Sequence, residues 1–199
     1  MLSVCSAKAA LDVAAAVVPG LQAGVVYADA NTASPELKRE LAALVDEVGV
    51  GFADVALLGP IPTRGLRAPM LVSGRSARAF ADFFGPLGTP VEVVSDEAGD
   101  AAALKLVRSV FMKGLAASVV ESMQAAEALG RAGWLEREIE ALIGRQFLER
   151  ALEGSRKHAA RRVDEMEAAR DLLRELGVEP FVATASAEQL AALATIEER

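Results

Sequence analysis

The segment Val25-Val26-Tyr27-Ala28-Asp29-Ala30-Asn31-Thr32-Ala33-Ser34-Pro35-Glu36 carries a strand end and a helix start within twelve residues, and its reading decides the fold. The β-branched and aromatic run at its beginning predicts a strand that stops at Asp29. Ser34 is a good N-cap, Pro35 suits the first helical position, and Glu36 favours the positive helix end. That helix is predicted to run to about residue 48 and to stop near Gly49. Upstream, Ser3-Val4-Cys5-Ser6 reads as a short strand, and residues 7–18 read as a helix closed by Pro19-Gly20. The order is βαβ, which requires parallel strands. Downstream, residues 52–58 read as a strand, and Gly59-Pro60-Ile61-Pro62-Thr63-Arg64-Gly65 as a stiff, irregular loop. Residues 70–73 and 91–94 read as strands around a helix at 76–84. Residues 1–98 are therefore expected to form an α/β domain with a largely parallel sheet.

After Gly99 the texture changes. Residues 101–129 hold no helix breaker except Gly114 and are apolar on nearly all sides as far as Val120, which predicts a long, mostly buried helix joining two bodies. Further helices are predicted at 135–151, 156–176 and 187–197, separated by Gly154-Ser155 and by Gly177-Val178-Glu179-Pro180. Residues 99–199 are expected to be an all-α domain.

Composition excludes several classes. A chain of 199 residues, 52% of them hydrophobic, can bury a substantial core. Its formal net charge of -7 argues against nucleic-acid binding, which needs clustered, uncompensated Lys and Arg. One cysteine and one histidine give neither a disulfide nor a zinc set, so no metal is expected and a reducing cytoplasm fits. Lys105, Arg108 and Lys113 interrupt the most apolar stretch, which argues against a membrane span.

Three segments resemble the β-hydroxyacid dehydrogenase superfamily, which includes 3-hydroxyisobutyrate dehydrogenase, 6-phosphogluconate dehydrogenase and, more distantly, imine reductases. Residues 27–35 are similar to the family's strand-end segment of Asp, then Ser or Thr, then Pro. Phe52-Ala53-Asp54-Val55-Ala56-Leu57-Leu58-Gly59-Pro60 resembles its substrate segment, and Gly99 to Ser109 its long-helix start with a catalytic lysine. The 6-phosphogluconate dehydrogenase-like branch matches best in texture, since His158 to Glu167 is also typical of it. Leu58 and Ser109 depart from the family's usual serine and asparagine. The family's first βα units, with their Gly-x-Gly-x-x-Gly, have no counterpart in this sequence. A start assigned too late, a fragment and a true short protein are all open readings. Those glycines and the helix amides behind them hold the dinucleotide diphosphate, so this chain alone is expected to bind NAD or NADP weakly or not at all.

The resemblance implies that Lys105 is a general acid/base. Its apolar neighbours predict an apolar setting that disfavours the ammonium form, and Arg108 and Ser109 lie within a turn of it. Taken without the resemblance, a helix lysine is more often a snorkelling surface residue. Asn31 and Thr32, just past a strand's C-terminal end, are candidates for both substrate and nicotinamide contact, and Ser3 for cofactor contact. Ser34 has an N-cap role that already accounts for it. Gly59 and Pro60 are candidates for the pocket floor, with a plain turn as the rival reading. His158, Arg162 and Asp164, on a late helix, are candidates for an anionic substrate, against a solvated helix face as the default. Cys5 reads as a core residue. The leading expectation is an NAD(P)-dependent oxidoreductase acting on a hydroxyl/carbonyl or imine substrate in a cleft between the domains. A cofactor-independent isomerase, cyclase or dehydratase and a non-catalytic dimeric binding subunit are the alternatives. A homodimer through the region after Gly99 is expected, with Phe111, Leu115, Val119 and Trp134 as its apolar surface.

Overall fold

The computed structural model describes the backbone of residues 1–59 and 61–197 and the side chains of residues 1–59 and 61–195. Two compact units divide the chain at Lys105 and Leu106. The first unit holds a five-stranded sheet in sequence order, β1 (Leu2–Ser3), β2 (Val26–Asp29), β3 (Gly51–Leu57), β4 (Met70–Ser73) and β5 (Val91–Ser95). All neighbouring pairs are parallel except β3 and β4. This antiparallel pair qualifies the expected largely parallel sheet. The segment between β3 and β4 forms a single helical turn, α3 (Ile61–Arg64), and a 3₁₀ turn (Gly65–Arg67), where an irregular loop was expected. So short a connection reverses the chain at the end it left instead of carrying it across the sheet.

Strand alternation divides the core between the two sheet faces. Tyr27 and Phe52 are register partners on one face, where they pack with α1 (Ala10–Val17) and α2 (Pro35–Asp46) through Ala14, Leu41 and Val45. Ala28 and Ala53 are partners on the other face, and their small size admits α4 (Ala77–Phe84) with Ala77 and Phe80. Ser34 caps α2 by accepting from the Leu37 amide at 3.2 Å, as its N-cap reading requires. β1 stops at Ser3, which leaves Cys5 exposed, not in the core as expected.

The long helix α5 (Asp100–Ala128) begins in the first unit and continues into the second. Leu104, Val107 and Phe111 are 47%, 45% and 67% exposed, so the helix is less completely buried than its composition predicted. In the second unit the helix expected at 135–151 is two helices, α6 (Ala132–Ile143) and α7 (Arg145–Lys157), split at Gly144. Gly144 has φ +82, a conformation that L side chains rarely adopt. The break expected at Gly154-Ser155 falls at His158 instead, before α8 (Ala159–Glu175). Gly154 stays within α7, and its missing side chain leaves room for the Arg162 guanidinium, which an added Cβ would meet at 2.5 Å. The final helix α9 (Phe181–Glu197) starts six residues earlier than expected, directly after Pro180. Ala183, Ala187, Leu190 and Leu193 are its buried stripe. No helix among the described residues is long and apolar enough to cross a membrane.

Candidate functional site

One polar row crosses the sheet of the first unit. Ser3 is the register partner of Asp29, Asp29 of Asp54, Asp54 of Ser73, and Ser73 of Ser95. Asp29, Asp54 and Ser73 are all fully buried. Two carboxylates directly opposed on neighbouring strands repel each other, so a buried cation is required between them. Lys38 of α2 supplies it, with its ammonium 3.0 Å from Asp29 and 3.1 Å from Asp54 and only 1% of its side chain exposed. The same ammonium donates to the Asp29 carbonyl at 2.8 Å.

Each carboxylate has a second task. Asp29 accepts the Asn31 amide at 3.0 Å and the Asn31 side-chain amide at 2.8 Å, which folds the chain tightly just past β2. Asp54 accepts the Ala102 amide at 3.0 Å and the Ser73 hydroxyl at 3.3 Å, while Ser73 accepts the Ala101 amide at 3.0 Å. These bonds satisfy first-turn N–H groups of α5 that have no partner within the helix. Gly99, with φ +98, brings α5 against α2 so closely that an added Cβ would meet the Pro35 carbonyl at 2.7 Å. Lys105, one turn along α5, donates to the Thr32 hydroxyl at 2.8 Å. Burial pushes the Tyr27 phenol above 10.0, the nearby Ser3 hydroxyl opposes this, and Asp29 adds to it.

Ser3, Asn31, Thr32 and Lys105 lie together in the first unit. Asn31 is 5% exposed and donates to Ser3 at 3.1 Å and to the Cys5 sulfur at 3.3 Å, and its Oδ1 has no hydrogen-bond partner among the described residues. Lys105 is half-buried, but its neighbours Leu104 and Val107 are exposed, so its expected apolar setting is incomplete. Gly59 is half-buried beside the Arg64 side chain and Pro69, and Pro60 lies outside the described residues.

In the second unit Arg108 and Asp164 are exposed, and His158 is exposed at the junction of two helices, not on one. Ser109 is buried and donates to Glu165, which also holds Lys113 at 2.7 Å. Arg162 donates to the buried Ser155 at 3.0 Å. Burial pushes the Lys113 ammonium below 10.5, Glu165 opposes the shift, and Arg162 and Arg161 add to it. The Arg162 guanidinium is lowered by burial and then by Arg161.

Sequence reasoning missed Lys38, Ser73, Lys113 and Glu165. A signal existed for the first, since Lys38 sits on the face that buries Pro35, Leu41 and Val45. Asp54, inside an apolar strand, was another such mark.

Residues 126–193 match a domain described as "Domain of unknown function (DUF1932)". The curated "Uncharacterized 28.5 kDa protein in 7S RNA 5'region" of Methanothermus fervidus is 31% identical over 144 residues, 71% of this chain and 55% of that protein. The chain thus spans about half the length of that relative. Among solved structures, MTH1747, a conserved protein of unknown function described as structurally similar to 3-hydroxyacid dehydrogenases, is 30% identical. Its TM-score is 0.76, over 99% of this chain and 75% of that one. The 3-hydroxyisobutyrate dehydrogenase of Salmonella typhimurium shares the fold at 16% identity, with TM-score 0.80 over 96% of this chain and 71% of its own. A reductive aminase from Aspergillus terreus, solved with NADPH and ethyl-5-oxohexanoate, reaches TM-score 0.59 at 22% identity, over 100% of this chain and 74% of its own.

Proposed function

We infer that this chain, which belongs to the β-hydroxyacid dehydrogenase superfamily, carries the proton-handling part of an NAD(P)-dependent oxidoreductase site for a hydroxyl/carbonyl or imine substrate. The observation that supports this is the Lys105–Thr32 pair, seated just beyond the C-terminal end of β2, where open α/β sheets bind ligands. Lys105 delivers a proton from Nζ to the substrate oxygen or nitrogen as negative charge develops there, and takes it back in the reverse direction. Thr32, as acceptor, orients the ammonium. Asn31 Oδ1, buried and with an open lone pair, offers an acceptor to a substrate N–H or O–H.

The described residues do not fit a dinucleotide diphosphate. Its usual cradle is a glycine turn that leads a strand into a helix N-terminus. Here the turn after β1 is Cys5-Ser6 and that after β2 spans residues 30–34, both without glycine. Gly74 and Gly99, in the turns after β4 and β5, are pressed against the Phe52 and Pro35 carbonyls. A cavity of about 230 Å³ beside Gly74 is lined by Asp46, Asp96 and Glu97 against Arg39 and Arg75, and Arg75 is already paired with Asp46. With that pair neutral, Asp96 and Glu97 outweigh Arg39, and the net negative lining disfavours phosphate.

This misfit favours a second reading, a cofactor-independent isomerase, cyclase or dehydratase using the same lysine. Calorimetric titration with NADPH separates the two, since low-micromolar binding by this chain excludes the misfit. For either enzyme, Lys105→Met keeps the apolar stem and removes the proton carrier, so turnover on 3-hydroxy acids, imines or their dehydration products is expected to fall by roughly two to four powers of ten. A folded Lys105→Met protein with parental turnover ends the assignment. We further propose a cytoplasmic homodimer, supported by the exposure of Phe111 (67%) and Trp134 (56%) in the second unit. Val119 does not contribute to that surface, contrary to expectation, because it is buried against Ile139 and Leu148.

A further inference from the structure

The buried row does more than hold the sheet together. Both ends of the Lys105–Thr32 hydrogen bond hang from it. On one side Asp29 binds the backbone and side-chain amides of Asn31, the residue before Thr32. On the other, Asp54 and Ser73 bind the amides of Ala102 and Ala101. Lys105 follows Ala102 by three residues, less than one helical turn. Lys38 joins the two sides, because a single ammonium lies within ion-pair distance of both carboxylates. All of these groups belong to the first unit.

We propose that Asp29, Asp54 and Ser73, bridged by Lys38, are positioning residues that set the distance between Lys105 and Thr32. Calling the result catalytic rests on the acid/base reading of Lys105, but the positioning itself does not. Three features support the inference. Each positioning atom binds a backbone amide, so it fixes main chain and not just a side-chain rotamer. The frame is fully buried, where hydrogen bonds to charged groups are strong and their loss is not made good by water. The lysine and threonine it aligns are 73 residues apart in sequence, so nothing local holds them together.

The test reads the Lys105 ammonium directly. The chain has five lysines, and Lys105→Arg assigns the Lys105 signal in 15N–1H correlation spectra of lysine-labelled protein in mildly acid solution. A hydrogen-bonded ammonium exchanges its protons slowly, unlike those of the exposed Lys8 and Lys157. Thr32→Val is expected to accelerate that exchange roughly fivefold or more, the factor that one net hydrogen bond makes. Ser73→Ala and Asp54→Asn, which leave Lys105 and Thr32 untouched, are expected to reproduce the acceleration. Val45→Ala, a cavity in the core away from the row, is expected to lower stability and leave the Lys105 signal in place.

Ser73→Ala alone suffices if Asp54→Asn does not fold. Slow Lys105 exchange that persists in folded Ser73→Ala overturns the proposal, as does a parental Lys105 ammonium that exchanges like Lys8. Parental turnover in Lys105→Met together with a moved signal in Ser73→Ala sinks the acid/base reading and leaves the positioning frame standing. Lost turnover in Lys105→Met with an unmoved signal in Ser73→Ala sinks the frame alone.

Discussion

Asp29 and Asp54 face each other as register partners on two parallel strands, fully buried, and share the ammonium of Lys38. The row has two buried anions and one cation, a local charge of -1. Lys38→Met makes this -2, with no other cation within ion-pair distance of the two carboxylates among the described residues. Breaking a buried ion pair in this way costs about 3–5 kcal/mol, which should appear as a lower urea midpoint or as failure to fold. Adding Asp54→Asn returns the local charge to -1, so the double variant is expected to be more stable than Lys38→Met alone. An additive double loss would show that the two residues are not coupled.

Gly99→Ala should destabilise the protein more than Gly130→Ala. Both glycines have positive φ, +98 and +67, but an alanine Cβ at 99 meets the Pro35 carbonyl at 2.7 Å while nothing lies within 4 Å at 130. The conformational penalty alone is about 1–3 kcal/mol and applies to both. Only at 99 must backbone move as well. Equal unfolding midpoints for the two variants would remove the close approach of α5 to α2.

Stability should depend on alkaline pH through Lys113. Its folded-state pKa is lowered, chiefly by burial, so the folded protein releases this proton before the unfolded chain does. In the window between the lowered value and 10.5 the unfolded state binds more protons, and stability contributed by this group rises with pH. Below that window its charged form is disfavoured in the fold. Urea midpoints of the parent and of Lys113→Met, compared across that range, should diverge in favour of the parent as pH rises. Parallel curves would mean that Lys113 is well solvated.

Assembly is tested by light scattering over a hundredfold dilution. Phe111→Glu and Trp134→Glu place charge on exposed apolar positions of the second unit and are expected to shift a dimer toward monomer without changing helix content. A parent that is monomeric and soluble throughout removes the dimer proposal.

The alternation of short strands and helices up to Gly99, the helical texture after it, and the start of α2 at Ser34-Pro35-Glu36 were all legible in the sequence, because each rests on contacts within a few residues. Periodicity also placed Lys105 on a helix and Thr32 past a strand end. What it could not provide was their meeting at 2.8 Å. That contact depends on Gly99 closing α5 onto α2 and on the strand register that opposes Asp29 to Asp54. Lys38 looked like one more charge on an amphipathic helix, and only the tertiary structure turned its face inward onto two aspartates. The same holds for the reversal at β4 and for Ser109, which is spent on Glu165 of α8. Register and helix docking are set by the summed packing of distant segments, so a residue's local pattern shows which element it joins but not which partner it will face.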